Sequence, residues 1–173
     1  LETDRLILRA FRASDADDVR RMAGDPAVAS TTLNIPHPYE SGMAEAWIAT
    51  HQAGFDAGTL VNFAVTRRED GALVGAIGLV VTPAHGRAEL GYWVGRDHWN
   101  EGYATEAAGA VLRHGFEAMG LNRIVAHHMA RNPASGRVMQ KIGMRHEGRC
   151  PQHVRKNDAF EDLELYGLLR QDA

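Results

Sequence analysis

A mixed α/β fold, with a central, mostly antiparallel sheet and helices on both of its faces, is what this sequence predicts, and three observations predict it. The apolar period switches between two and 3.6 several times along the chain, which calls for strands and helices in one sheet-and-helix architecture. Two β-rich runs, LVNFAVT at 60–66 and LVGAIGLVVT at 73–82, flank Asp70-Gly71, a hairpin signal. Residues 88–94 then alternate, Ala88, Leu90, Tyr92 and Val94 against Glu89, Gly91 and Trp93, as a pleated strand requires. That strand gives way at once to a helical stripe of Ala104, Ala107, Ala108, Val111, Gly115 and Met119.

Taken in order, residues 5–11 alternate Leu6, Leu8 and Ala10 against Ile7, Arg9 and Phe11 and read as a first strand. Ser14 ahead of Asp15, Asp17 and Asp18 predicts a helix over 15–22, capped by the serine hydroxyl and closed by Gly24. Residues 25–39 hold Pro26, Pro36 and Pro38 among small polar residues, and proline removes donors and disfavours helix before it, so the stretch reads as a shaped loop. Met43, Ala46, Trp47, Thr50 and Gly54 predict an amphipathic helix ending near 57–58. The hairpin, the strand 88–94 and the long helix follow, with Gly120 stopping the helix. RIVAHHM at 123–129 is a short strand whose His127 and His128 point to opposite faces and cannot share one metal ion. Asn132-Pro133-Ala134-Ser135 opens a further helix, closed by Gly143. Residues 145–154 and 160–169 form a closing antiparallel pair that turns near Asn157-Asp158.

The chain has 173 residues, 24% of them charged, and a net charge of −3. One domain spanning 1–173 is expected at this length. The acidic balance implies no broad nucleic-acid surface, and no apolar run is long enough for a membrane span. The opening LETDRLILRAF lacks a long apolar run, and the lone Cys150 forms no internal disulfide, so a reducing cytoplasmic location is expected.

The start of the helix after Gly102 is a candidate anion site. The first N–H groups of a helix have no intrahelical partner and the dipole adds roughly half a positive charge, while Gly102 and Ala104 keep bulk away from that backbone. A tight strand-to-helix connection packed with small residues accounts for the same spacing. Neither a Gly-x-x-x-x-Gly-Lys phosphate loop nor a Gly-x-Gly-x-x-Gly dinucleotide fingerprint occurs.

Three segments in order, LETDRLILRAF, ELGYWVGRDHWNEGYATEA and NPASGRVMQKIGMRHEG, resemble the GNAT N-acetyltransferase superfamily, and within it the ribosomal-protein N-terminal (alanine/serine) acetyltransferase branch. The resemblance covers nearly the whole chain. Gly102-Tyr103-Ala104 matches the glycine part of the superfamily's acetyl-CoA motif, and Trp99 stands where the pattern has Gln or Arg, an aromatic replacement common in this branch.

The resemblance implies a sheet with a splayed strand pair at the acetyl-CoA site and direct transfer of acetyl from acetyl-CoA to a primary amine, without metal. The backbone of Trp93 and Val94 would pair with the pantetheine arm. Trp99, Asn100, Glu101, Gly102, Tyr103, Ala104 and Thr105 would form the pyrophosphate segment, and Asn132 would meet the cofactor near its thiol. Ser135 would protonate or hydrogen-bond the leaving thiolate, or else serve as a helix cap. Glu89 is the candidate base, acting through water, with an exposed glutamate paired to an arginine as the plain alternative; His153 is the reserve base. Residues 36–39, the helix carrying Trp47 and residues 153–160 would wall the acceptor cleft. The acceptor expected from the branch is a protein N-terminus, with small-molecule or antibiotic amines as an alternative and a non-catalytic acyl-CoA-binding module as another. A homodimer is an assembly that the analogy allows.

Overall fold

In the computed structural model, which describes all 173 residues, seven strands form one sheet in the order β1-β2-β3-β4-β5-β7-β6. The strands are β1 (Leu6–Arg9), β2 (Leu60–Arg67), β3 (Leu73–Thr82), β4 (Arg87–Val94), β5 (Arg123–Met129), β6 (Arg145–Lys156) and β7 (Ala159–Leu169). Five helices join them: α1 (Ala16–Ala23), α2 (Pro26–Thr31), α3 (Met43–Asp56), α4 (Tyr103–Glu117) and α5 (Pro133–Lys141). Every neighbouring pair is antiparallel except β4 and β5, which run parallel. A parallel connection needs a crossover, and α4 supplies it.

The two faces of the sheet are covered by different helices, because alternation sends odd and even residues to opposite sides. Leu79, Ala88, Leu90 and Ile124 join Ala107, Val111 and Phe116 of α4 and Met139 of α5 in the larger core. Val19, Met22 and Ala44 from α1 and α3 pack with Ala64 and Leu73 in the smaller one, and Trp93 lies against it. β3 is an interior strand and nearly all of it is buried, which is why LVGAIGLVVT is an unbroken small and apolar run rather than an alternating one.

Three local expectations are corrected. The first helix starts at Ala16, after a 3-10 turn over Ala13–Asp15, and Ser14 does not cap it. Asp15 holds the turn instead: its Oδ2 accepts the Arg12 N–H at 2.7 Å, and both carboxylate oxygens take Arg9 at 2.7 and 2.8 Å. A buried bidentate ion pair outweighs a serine cap here because it also ties the end of β1 to α1. The stretch 25–39 is not wholly irregular. It contains α2, with Asp25 Oδ1 accepting from Ala27 N–H at 2.7 Å and Pro26 at the first helical turn, a start in which proline loses nothing. β1 is also shorter than 5–11, ending at Arg9.

Candidate active site

The site forms where β4 and β5 part. Their parallel pairing covers only Arg87↔Arg123, Ala88↔Ile124 and Glu89↔Val125, although β4 runs on to Val94 and β5 to Met129. On one side of β4, Gly95 N–H donates to Val74 O of the β3 side at 2.9 Å; on the other, Gly86 O accepts Asn122 N–H at 2.7 Å. By the alternation of ladder bonds, even residues of β4 turn their main-chain groups toward β5 and odd residues toward β3. Beyond Glu89, then, Tyr92 and Val94 present N–H and C=O groups to an open gap, an edge on which an amide-bearing arm can pair as a strand would. Trp93 turns its main chain toward its partner Ala76. The open edge therefore consists of Tyr92 and Val94, with Trp93 turned away from it. Trp99 caps the end of this edge, its indole N–H donating to Val94 O at 2.7 Å.

The loop that follows rises into α4. Asn100 and Gly102 adopt left-handed φ values of 65° and 83°, and Gly102 is the N-cap with no side-chain hydrogen bond to the first turn. The first intrahelical bond runs from Glu106 N–H to Gly102 O, so the N–H groups of Tyr103, Ala104 and Thr105 are free for an anion. Arg5 braces this turn from behind. It donates to Glu101 O at 2.9 Å and to Glu106 Oε2 at 2.7 Å, and lies 4.9 Å from the Tyr103 ring centre. The Glu101 side chain is exposed, and its carbonyl is the part held.

Asn132 is the N-cap of α5 and its side chain makes no capping bond. Ser135 lies inside the first turn and does not cap either. Its Oγ is 2.8 Å from the Tyr92 hydroxyl, which is also 3.2 Å from Ser135 O. Burial pushes the Tyr92 phenol up to about 12, against the opposing pull of Ser135, so it stays protonated at neutral pH. Glu89 is half exposed and pairs with no arginine: His127 Nδ1 lies 3.3 Å from its Oε1. His128, on the other face, directs Nδ1 to Met129 O at 2.9 Å.

A cleft of about 930 Å³ joins these parts. Tyr92, Val94, Trp99, Asn100 and Gly102–Thr105 line one end, together with Asn132 and Ser135. Arg137 and Lys141 of α5 also line it; sequence reasoning passed over them, though cations at i and i+4 share a helix face. Glu89, His127, Asn62 and Trp47 line the other part. Of residues 36–39, only Pro36 and Tyr39 reach the cleft, and none of residues 153–160 does. His153 is exposed on β6 and is withdrawn as a reserve base. That segment acts indirectly: the buried Lys156 ammonium donates to Leu33 O at 3.2 Å and Ile35 O at 2.6 Å, holding the loop that walls the cleft.

A free strand edge, an uncapped helix start and two cations along one cleft fit a long ligand that carries amides at one end and phosphates at the other. Over residues 5–145 the sequence matches the acetyltransferase (GNAT) domain family. This chain belongs to the GNAT acetyltransferase family. It is 32% identical to the uncharacterized N-acetyltransferase YoaA of Bacillus subtilis across 98% of this chain and 96% of that one. It is also 32% identical to the ribosomal-protein-serine acetyltransferase of Escherichia coli over 89 residues, about half of each chain. A GNAT-family acetyltransferase from Bacillus anthracis superposes with a TM-score of 0.89 at 28% identity, covering 99% of this chain and 98% of the other. As a GNAT enzyme, the protein is an acetyl-CoA-dependent N-acetyltransferase.

Proposed function

We propose that this GNAT enzyme acetylates the α-amine at the N-terminus of a peptide or protein. The carrying observation is the charge of the cleft: among the residues lining it, Glu89 is the single carboxylate, amid amides, hydroxyls and aromatic rings. A polyamine would bring several ammonium groups into a cleft with one partner for them, and an unpaired charge taken from water costs several kcal/mol. An α-amine brings one charge and sheds it to react. With a pKa near 8 it is about one-tenth neutral at pH 7, whereas a lysine is neutral in roughly one molecule in a thousand or fewer. The Escherichia coli relative, named for ribosomal-protein serine, supports the same acceptor class.

The chemistry follows the two faces of the sheet. Tyr92 and Ser135 stand on the α5 face and Glu89 on the opposite one, and the β4–β5 gap connects them. Acetyl-CoA laid along Tyr92 and Val94, with its pyrophosphate at residues 100–105 and its 3′-phosphate near Arg137 and Lys141, places the thioester in that gap. The amine enters from the Glu89 face and loses a proton there. Its nitrogen forms the N–C bond as the C–S bond breaks; the thiolate takes a proton through Ser135, backed by the Tyr92 hydroxyl, and the second proton shed by the nitrogen replaces it.

The test is release of CoA thiol with three acceptors: a peptide with a free N-terminal serine or alanine, the same peptide N-terminally blocked but carrying a lysine, and spermidine. Turnover confined to the free α-amine is expected. Faster turnover of spermidine or of the blocked peptide overturns the acceptor assignment.

A further inference from the structure

We propose that the proton of the acceptor amine goes to His127, oriented by Glu89, above an open floor at Gly91 and beside the Asn62 carboxamide. This inference rests on the acetyl-transfer reading above and replaces Glu89 acting alone by a two-residue device.

The placement follows from the strand divergence. Glu89 is the last residue at which β4 pairs with β5, opposite Val125. His127 is two residues further on the same face, where the strands have begun to separate, and its ring reaches back to the carboxylate with Nδ1 3.3 Å from Oε1. Such contacts in a substrate-free site are often long and tighten when substrate binds. Once that contact closes to a hydrogen bond, the carboxylate holds the proton on Nδ1 and leaves the Nε2 lone pair as the acceptor.

The space beside the pair is open. Gly91 follows Glu89 on the same face, and a Cβ placed on it would meet nothing within 4 Å. Gly78 is its direct partner on β3, and a Cβ there would collide with the Asn62 carboxamide and the Val61 carbonyl. Gly91 thus leaves a shallow bare patch, edged on one side by the Asn62 amide that covers Gly78 and on the other by Glu89 and His127, and all of them line the cleft. An amine lying on this floor has the imidazole within reach and a carboxamide to hold the adjoining peptide group.

Most of the surrounding charges are already paired. Arg87 lies on the same face of β4. Arg123 of β5 is bound to Glu147 of β6, and Glu161 of β7 is bound to Arg131 at 2.7 Å. β3 contributes Gly78 and Val80, and the facing loop contributes Thr31, Thr32, Leu33, Asn34 and Ile35, none of them titratable.

The balance closes with two protons leaving the nitrogen. The ammonium gives one to His127 Nε2, where the Glu89 carboxylate stabilises the imidazolium, and it passes from there to solvent along the exposed edge of Glu89. The second leaves once the N–C bond has formed and matches the proton taken up by the thiolate as the C–S bond breaks.

The experiment measures pH–rate profiles of wild type, His127→Asn, His127→Gln and Glu89→Gln, with acetyl-CoA and, separately, the free-α-amine peptide and a small primary amine. Acetyl-CoA binding by calorimetry shows in each case that the variant is folded. Loss of a general base is worth on the order of 10² to 10⁴ in rate, so both His127 variants should fall by that much at neutral pH. They should recover toward wild type as rising pH deprotonates the amine without help. Glu89→Gln keeps an oxygen for Nδ1 and should lose about tenfold, the cost of misorientation rather than of the base. His127 variants at wild-type rate, or a Glu89→Gln loss larger than theirs, overturn the inference. If the wild type uses the small amine and not the peptide, the acceptor assignment fails, while the same variants still decide the His127 role with that amine.

Discussion

Tyr92 shows how a single residue joins the sheet to the chemistry. Its ring belongs to the core face of β4, and its hydroxyl reaches Ser135 on α5, 43 residues along the chain. Because burial pushes its phenol up to about 12, the group is neutral everywhere below that and can only donate or share its proton. Tyr92→Phe should therefore lower kcat about tenfold with little change in the KM for acetyl-CoA. That loss should be the same from roughly pH 6 to 9, since a neutral phenol is 10 or above in pKa even unperturbed. Steady-state kinetics across that range check it, and a wild-type-to-variant ratio that changes with pH would contradict it. Glu89 was legible as a candidate because it is a lone carboxylate on its strand face, and Ser135 only through the family resemblance. Tyr92 was not, because in an alternating strand it is indistinguishable from any core-face aromatic. The Glu89–His127 contact was hidden for a related reason: it depends on which strands lie side by side.

At the scale of elements, α4 works because the segment just ahead of β1 prepares its first turn. Thr3 Oγ1 and Arg5 N–H both bond Glu106 Oε1, at 2.6 and 2.9 Å, while the Arg5 guanidinium fixes Glu101 O. Burial pushes the Glu106 carboxyl up, but the bonds from Thr3 and Arg5 outweigh it and hold it below the usual glutamate range. A lowered folded value means that this contribution to stability is complete above the ordinary glutamate pKa, about 4.3, and is lost as pH falls through the folded value. Arg5→Met should weaken acetyl-CoA binding about tenfold, near 1.4 kcal/mol, and leave the KM for the amine unchanged. Calorimetry with a parallel acid-unfolding curve checks both parts, and unchanged affinity would separate the clamp from the phosphate seat. The long helices and the hairpin were legible from their periods. α2 was not, because three prolines over 26–38 read as a loop, although Asp25-Pro26 is itself a helix start.

Across the whole molecule, the site depends on one parallel junction in an otherwise antiparallel sheet. Apart from α2, the order of elements was readable in the sequence, and so was a mixed sheet with helices on both faces. The insertion of β7 between β5 and β6 was not, since no local pattern states which strand fills an edge. That insertion pairs β5 with β7 along its whole length, so β5 stays with β7 while β4 parts from it after Glu89. The gap thus follows from topology, and it brings the Tyr92–Ser135 and Glu89–His127 pairs to one opening from opposite faces. The most direct measurement is a titration of the 19.0 kDa protein with acetyl-CoA, followed through its backbone amide NMR signals. The amides of Tyr92, Val94, Tyr103, Ala104 and Thr105 should move most, with that of Trp93 held nearly fixed against β3. Shifts centred on another part of the sheet, or a Trp93 amide that moves with Tyr92 and Val94, would contradict the account.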